Sequence, residues 1–189
     1  MSIAYRNRLC AAVLACAIVG SATAGGAGAA TPSTGGARFV PPPPPPKKAV
    51  LRHGRAIAPR GAPRRVRHVI AAANRLIRKP YRYGGGHGAR ISRIDSGYDC
   101  SGSVSYALYG GRFLRSPLAS GDLMHWARRG TGRWITVYAH ASHAYIVVAG
   151  LRFDTSMRDR GAGGPSTGPR WSKHLRRSSR FRARHPRGY

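Results

Sequence analysis

Residues 142–156 read SHAYIVVAGLRFDTS, and no other stretch constrains the fold as tightly. Strand-forming residues flank Ala149-Gly150, which predicts two antiparallel strands joined by a two-residue turn. With that turn Val148 pairs with Leu151, and Tyr145 with Asp154. Side chains alternate between the faces of a sheet, so His143, Tyr145 and Val147 share a face with Arg152, Asp154 and Ser156. His143 and Asp154 then become diagonal neighbours. A longer turn or a bulge would shift the register and send Asp154 to the other face.

Upstream of this hairpin the period is helical. VRHVIAAANRLIRK places Val66, Val69, Ile70, Ala73, Leu76 and Ile77 on one face, with Arg67, Asn74, Arg75 and Arg78 largely opposite. Pro80 is the expected stop. YRYGGGHGARISRIDSGYD reads as a glycine-rich loop, and CSGSVSYALYGG as a second helix ending at Gly110-Gly111. GDLMHWAR and GRWITVYA read as short strands, and the stretch after Ser156 as a Gly/Pro/Ser loop. The expected class is therefore α+β, with N-terminal helices packed on an antiparallel sheet. An Arg-rich C-terminal tail follows, with Trp171, Phe181 and Tyr189 available for packing.

The first 65 residues read differently. Arg6 and Arg8 precede a short apolar run from Leu9 to Val19, and Ala22-Thr23-Ala24 supplies small residues for cleavage. That order predicts an export signal over residues 1–24, and the run is too short to span a bilayer. VLAC around Cys16 loosely resembles a lipoprotein box, but apolar residues continue past it. Residues 25–65 read as a Pro/Gly-rich and basic linker. Its six prolines, Pro41 to Pro46, make a stiff spacer of roughly 19 Å. The folded domain is expected over residues 66–189.

Signal removal would take Cys10 and Cys16 and leave Cys100 alone. A solitary cysteine in an exported chain is a partner for another molecule, a reactive thiol, or a small apolar residue in the core. Its neighbours favour reactivity. Asp99 is suited to capping the helix that Cys100 opens. A helix N-terminus stabilises a thiolate, and its first-turn N–H groups suit a developing oxyanion. A nucleophilic cysteine needs a base. Of the eight histidines, the hairpin geometry favours His143, with Asp154 placed to orient its ring. His140 is the other candidate for the third position. The mature chain has no paired metal-ligand spacing, so neither metal nor cofactor is expected.

The segments KPYRYGGGHGARISRIDSGYDCSGSVSYAL, SGDLMHW and SHAYIVVAGLRFDTS together resemble the NlpC/P60 family of cell-wall cysteine peptidases. The matching positions are Pro80, Tyr81, Tyr83, Gly84 and Gly85; Asp99, Cys100, Ser101 and Gly102; Gly121, Asp122 and Leu123; His143; and Asp154. The resemblance implies a papain-like α+β fold, a Cys100/His143 pair, and hydrolysis of peptidoglycan stem peptides beside D-glutamate and diaminopimelate. It also implies that Tyr81 assists at the oxyanion or substrate site, while Asp99 and Ser101 border the peptide end of the substrate. Ser142-His143-Ala144-Tyr145-Ile146 departs from the family's usual His-Val-Gly-Ile-Tyr. Asp154 stands where His, Asn or Gln is more frequent, and ARRGTGRWITVYAHA looks like an insertion.

Thirty-three Lys and Arg oppose five acids, all aspartates, for a formal net charge of +28. So cationic a surface adheres to polyanions. In an exported chain these are anionic cell-wall polymers, and the protein is expected to be secreted to the wall or periplasm. A basic nucleic-acid-binding protein is a competing reading, but no zinc-finger spacing or RRM motif is present, so no specific nucleic acid is expected. A non-catalytic wall-binding module is the other.

Overall fold

A computed structural model describes residues 48–156 and 165–189. The expected signal peptide, Cys10, Cys16, the proline run and residues 157–164 lie outside the described residues. The architecture is α+β, and its sheet is antiparallel throughout.

The predicted hairpin forms β5 (His143–Val148) and β6 (Leu151–Ser156). Its turn has φ +46° at Ala149 and +80° at Gly150, a type I′ geometry that matches the right-handed twist of the strands. The ladder pairs Val148 with Leu151, Val147 with Arg152 and Ile146 with Phe153, so the register is the expected one. Ala144, Ile146 and Val148 turn toward the helices and are fully buried. His143, Tyr145 and Val147 take the opposite face, as alternation requires.

Two helices cover the inner face. α1 (Arg64–Asn74) buries Val66, Val69, Ile70 and Ala73, the stripe its period predicted. It ends earlier than Pro80, in turns whose N–H groups at Arg75 and Leu76 bond Ala72 and Ala73 carbonyls. α2 (Cys100–Gly110) is buried along nearly its whole length, and its small residues let it lie between α1 and the sheet. Val104 and Leu108 from α2 join Val66, Val69 and Leu76, and the sheet contributes Ile135, Val137, Ile146 and Phe153.

Several expectations need correction. GDLMHWAR is not a strand: Ser120–Leu123 forms a short helix, α3, with Leu123 N–H bonded to Ala119 O at 3.0 Å. One apolar anchor, the fully buried Leu123, suits a single helical turn better than an alternating strand. Residues expected as linker also fold. β1 (Val50–Arg52) and β2 (Arg55–Ile57) pair as a hairpin. Asn74 holds that hairpin to α1, accepting from Ala56 N–H at 2.9 Å and donating to Ala56 O at 2.8 Å. Ala49 N–H reaches Ala149 O at 2.8 Å.

The six-stranded sheet runs β3-β8-β4-β5-β6-β7. β3 is Arg128–Arg129, β4 is Ile135–His140, β7 is Pro165–Ser172 and β8 is Arg182–His185. β7 begins inside the stretch expected as a loop. The Arg-rich tail is likewise a structural element, because β8 enters the sheet between β3 and β4. Its buried Arg184 is satisfied by Met124 O at 2.6 Å, which lets a charged residue occupy an inner strand. Among the described residues no helix is long and apolar enough to cross a membrane.

Candidate active site

The start of α2 meets the start of β5. Asp99 caps the helix in extended conformation, its Oδ1 accepting from Gly102 N–H at 2.7 Å. The glycine-rich loop packs on this first turn so closely that a Cβ at Gly102 would sit 2.1 Å from Gly85 O. Only glycine permits that approach. Cys100 is held just inside the surface, at 8% exposure, and is unbridged.

The thiol has three hydrogen-bond neighbours. Its Sγ lies 3.6 Å from Ser120 Oγ, and it also engages the His143 side chain and the Ala144 backbone N–H. Burial alone would push the Cys100 thiol up, but these bonds outweigh it and bring it below its usual range.

His143 Nε2 lies 2.9 Å from Asp154 Oδ1, which leaves Nδ1 as the nitrogen for the thiol. Burial opposes charging of the ring, but Asp154 and Cys100 on either side prevail and raise His143 to about 9. Asp154 is completely buried as a side chain. Burial would raise its carboxyl; the His143 bond, the Ser156 N–H and the Arg176 guanidinium hold it below the usual carboxylate range. The expected diagonal pair thus exists, and the alternative, His140, is placed otherwise. His140 packs on Phe181 at 4.4 Å between centroids, and its Nδ1 accepts from Ser142 N–H at 3.2 Å.

Tyr81 is near enough to Cys100 and Asp99 for their charges, added to burial, to raise its phenol. It therefore remains an O–H donor beside the thiol. Asp99 and Ser101 are both buried, and both point at His87: its Nε2 is 3.1 Å from Asp99 Oδ1 and 3.1 Å from Ser101 Oγ.

Three residues at the site escaped the sequence reading. His87 belongs to an aperiodic glycine loop, so nothing in its spacing points to Asp99. Ser120 sits beside the Gly-Asp-Leu match and was not singled out. Arg176 reaches Asp154 Oδ2 at 3.2 Å from the basic tail, where one arginine among many carries no signal. Among the described residues no group of three or more His, Cys, Asp or Glu is arranged to hold a metal ion.

No family profile and no curated protein matches the chain. Solved structures do resemble it. Rv1477, a hypothetical invasion protein of Mycobacterium tuberculosis, shares 22% identity at TM-score 0.46, covering 74% of this chain and 71% of that one. The peptidoglycan hydrolase RipB (Rv1478) of the same organism shares 26% at TM-score 0.45, covering 68% and 72%. A mutated form of the Resuscitation Promoting Factor Interacting protein RipA shares 21% at TM-score 0.46, covering 74% and 71%.

Proposed function

We propose that the protein is a secreted, papain-like cysteine peptidase that hydrolyses amide bonds in peptidoglycan stem peptides. The observation that carries this reading is the chain of contacts Cys100–His143–Asp154 at the mouth of a capped helix. The thiol is shifted down and the imidazole up, the directions that favour a thiolate–imidazolium pair and that a packing cysteine has no reason to show.

The Cys100 thiolate attacks the scissile carbonyl carbon, and the carbonyl electrons move to oxygen. First-turn N–H groups of α2 and the Tyr81 hydroxyl stabilise that oxyanion. His143 passes its Nδ1 proton to the leaving amine as the C–N bond breaks, leaving a thioester on Cys100. Water then attacks the thioester while His143 takes a proton, and the thiol departs as the carboxylic acid forms. Asp154 fixes the ring through Nε2 throughout.

The substrate class is supported by the resemblance of the motif order from Pro80 to Asp154 to the NlpC/P60 family, which implies bonds beside D-glutamate and diaminopimelate. A net charge of +28 favours retention on an anionic wall. Digestion of purified peptidoglycan, with mass spectrometry of the released peptides, tests the reading. Cleavage is expected, lost in Cys100→Ala and His143→Ala and kept in His125→Ala, whose side chain is exposed. Equal activity in Cys100→Ala overturns it.

A further inference from the structure

Asp99 lies next to Cys100 in sequence, yet its oxygens are already committed. Oδ1 accepts from Gly102 N–H at 2.7 Å, His87 Nε2 at 3.1 Å and Ser101 Oγ at 3.3 Å. Oδ2 accepts from Gly84 N–H at 3.1 Å. A carboxylate offers about four lone-pair sites, two on each oxygen, so Oδ1 is saturated and only Oδ2 keeps room for one further donor. The Ser101 hydroxyl gives its hydrogen to Asp99 and accepts from the same His87 Nε2–H. His87 thus occupies Asp99 Oδ1 and Ser101 Oγ and presents its own ring beside them.

The state of that ring follows from its partners. Nε2 must carry hydrogen to serve two acceptors, and Nδ1 has no hydrogen-bond partner among the described residues. The side chain is 26% exposed. The Asp99 bond, against the cost of burial, raises the imidazole, and the Cys100 and Asp95 charges add to it. When protonated, the ring offers a second N–H at Nδ1, the nitrogen left over by the Asp99 and Ser101 contacts. Its position is fixed by Gly86, at φ +85°, whose N–H bonds Asp95 Oδ2 at 2.9 Å. A Cβ there would lie 2.5 Å from the Tyr98 ring.

The surroundings are cationic too. Gly85 and Gly88, either side of Gly86-His87, line a cavity of about 620 Å³ whose wall carries Arg82, Arg90 and Arg93. Asp95 is the one acid in that wall, and it is bonded to Gly86. We propose that the loop of residues 82–93 is a carboxylate-recognition subsite, with His87, bonded to the residues on either side of Cys100, as one contact and the three arginines of the neighbouring cavity wall holding further acidic groups of the substrate. This rests on the peptidase reading for its choice of substrate, not for its chemistry.

The test uses two synthetic stem peptides that differ only in whether the D-glutamate and diaminopimelate carboxyls outside the backbone are free or amidated. Calorimetry on full-length Cys100→Ala measures binding without turnover. The free acid is expected to bind about tenfold more tightly, the size of one charge-assisted hydrogen bond. Adding His87→Gln, which keeps an N–H toward Asp99 but loses the charge, should bring that ratio within about twofold. Thermal melting checks the fold. Should glutamine loosen the loop, Arg90→Gln/Arg93→Gln alters exposed side chains only and is expected to cut the ratio by about threefold. Equal affinity for both peptides, or a ratio unmoved in both variants, overturns the subsite. Acid-selective binding without cleavage of either peptide by the wild type would overturn the peptidase reading alone. Cleavage of both at equal kcat/KM would do the reverse.

Discussion

The His143 imidazole stands between a carboxylate and a thiol, and both favour its protonated form. Its value of about 9 sets a limit on activity, because the imidazolium must still hold the proton it gives to the leaving amine. As pH rises through that value the proton is lost, so kcat/KM on a soluble stem peptide should fall above pH about 9. Asp154→Asn removes the charge that raises His143. The alkaline limb should then move down by about one pH unit, and kcat should drop about a hundredfold as the ring loses its orientation. A pH–rate profile of wild type and variant checks both. An unmoved limb would show that Asp154 does not govern His143. The same residue illustrates what the sequence could disclose. Parity across a two-residue turn is sufficient to put His143 and Asp154 on one face, so their pairing was legible without coordinates. The bond from His87 to Asp99 was not, because a loop with three consecutive glycines imposes no periodicity on where its side chains return.

At the level of elements, the sheet is held by segments whose composition conceals their role. β8 has the sequence RARH, and its central position depends on one guanidinium finding a carbonyl, a contact that hydropathy patterns do not encode. β1 and β2 are three residues each and fully bury only Ala56, too little for a strand signal. Helices and hairpins with long apolar stripes were legible for the opposite reason. Asn74 ties these layers together, its side chain meeting Ala56 N–H and O and the Trp171 Nε1–H at 2.9 Å. Asn74→Ala should cost about 3 kcal/mol in urea unfolding, since it strands several partly buried polar groups at once. A change below about 1 kcal/mol would mean that the β1–β2 hairpin is not cooperatively joined to the domain.

The segment between β7 and β8 has a comparable link to the site. Arg176 bonds Asp154 Oδ2 and lies over the Tyr145 and Phe181 rings at 5.5 and 5.1 Å. Phe181 in turn packs 6.2 Å from His143. Arg176→Ala leaves Asp154 less neutralised, so its hold on the His143 proton should strengthen. The alkaline limb is then expected to move upward by a fraction of a pH unit, opposite to Asp154→Asn. A downward shift would show that the segment acts by burying the ring and not through charge.

For the whole molecule, 33 basic residues against five acids act over longer distances than the site does. Their field is screened within about 10 Å at 0.1 M salt and about 3 Å at 1 M. The proposed retention on an anionic wall would sum many exposed charges, so it should weaken steeply with salt. The bond-making geometry has the opposite character. The Asp154 side chain is fully buried and His143 is 16% exposed, so added ions screen their interaction far less than they screen the surface. Cosedimentation with purified walls should therefore fall at least tenfold between 0.05 and 0.5 M sodium chloride, roughly the dependence of a multi-charge contact. Over the same range kcat on a short soluble peptide should change less than about twofold. KM for an acidic peptide belongs with retention, because the exposed arginines at 82, 90 and 93 are screened as the rest of the surface is. Retention unaffected by salt would mean that specific contacts, not net charge, hold the protein on the wall. A matching fall in kcat would mean that the surface field acts on the thiolate–imidazolium pair directly.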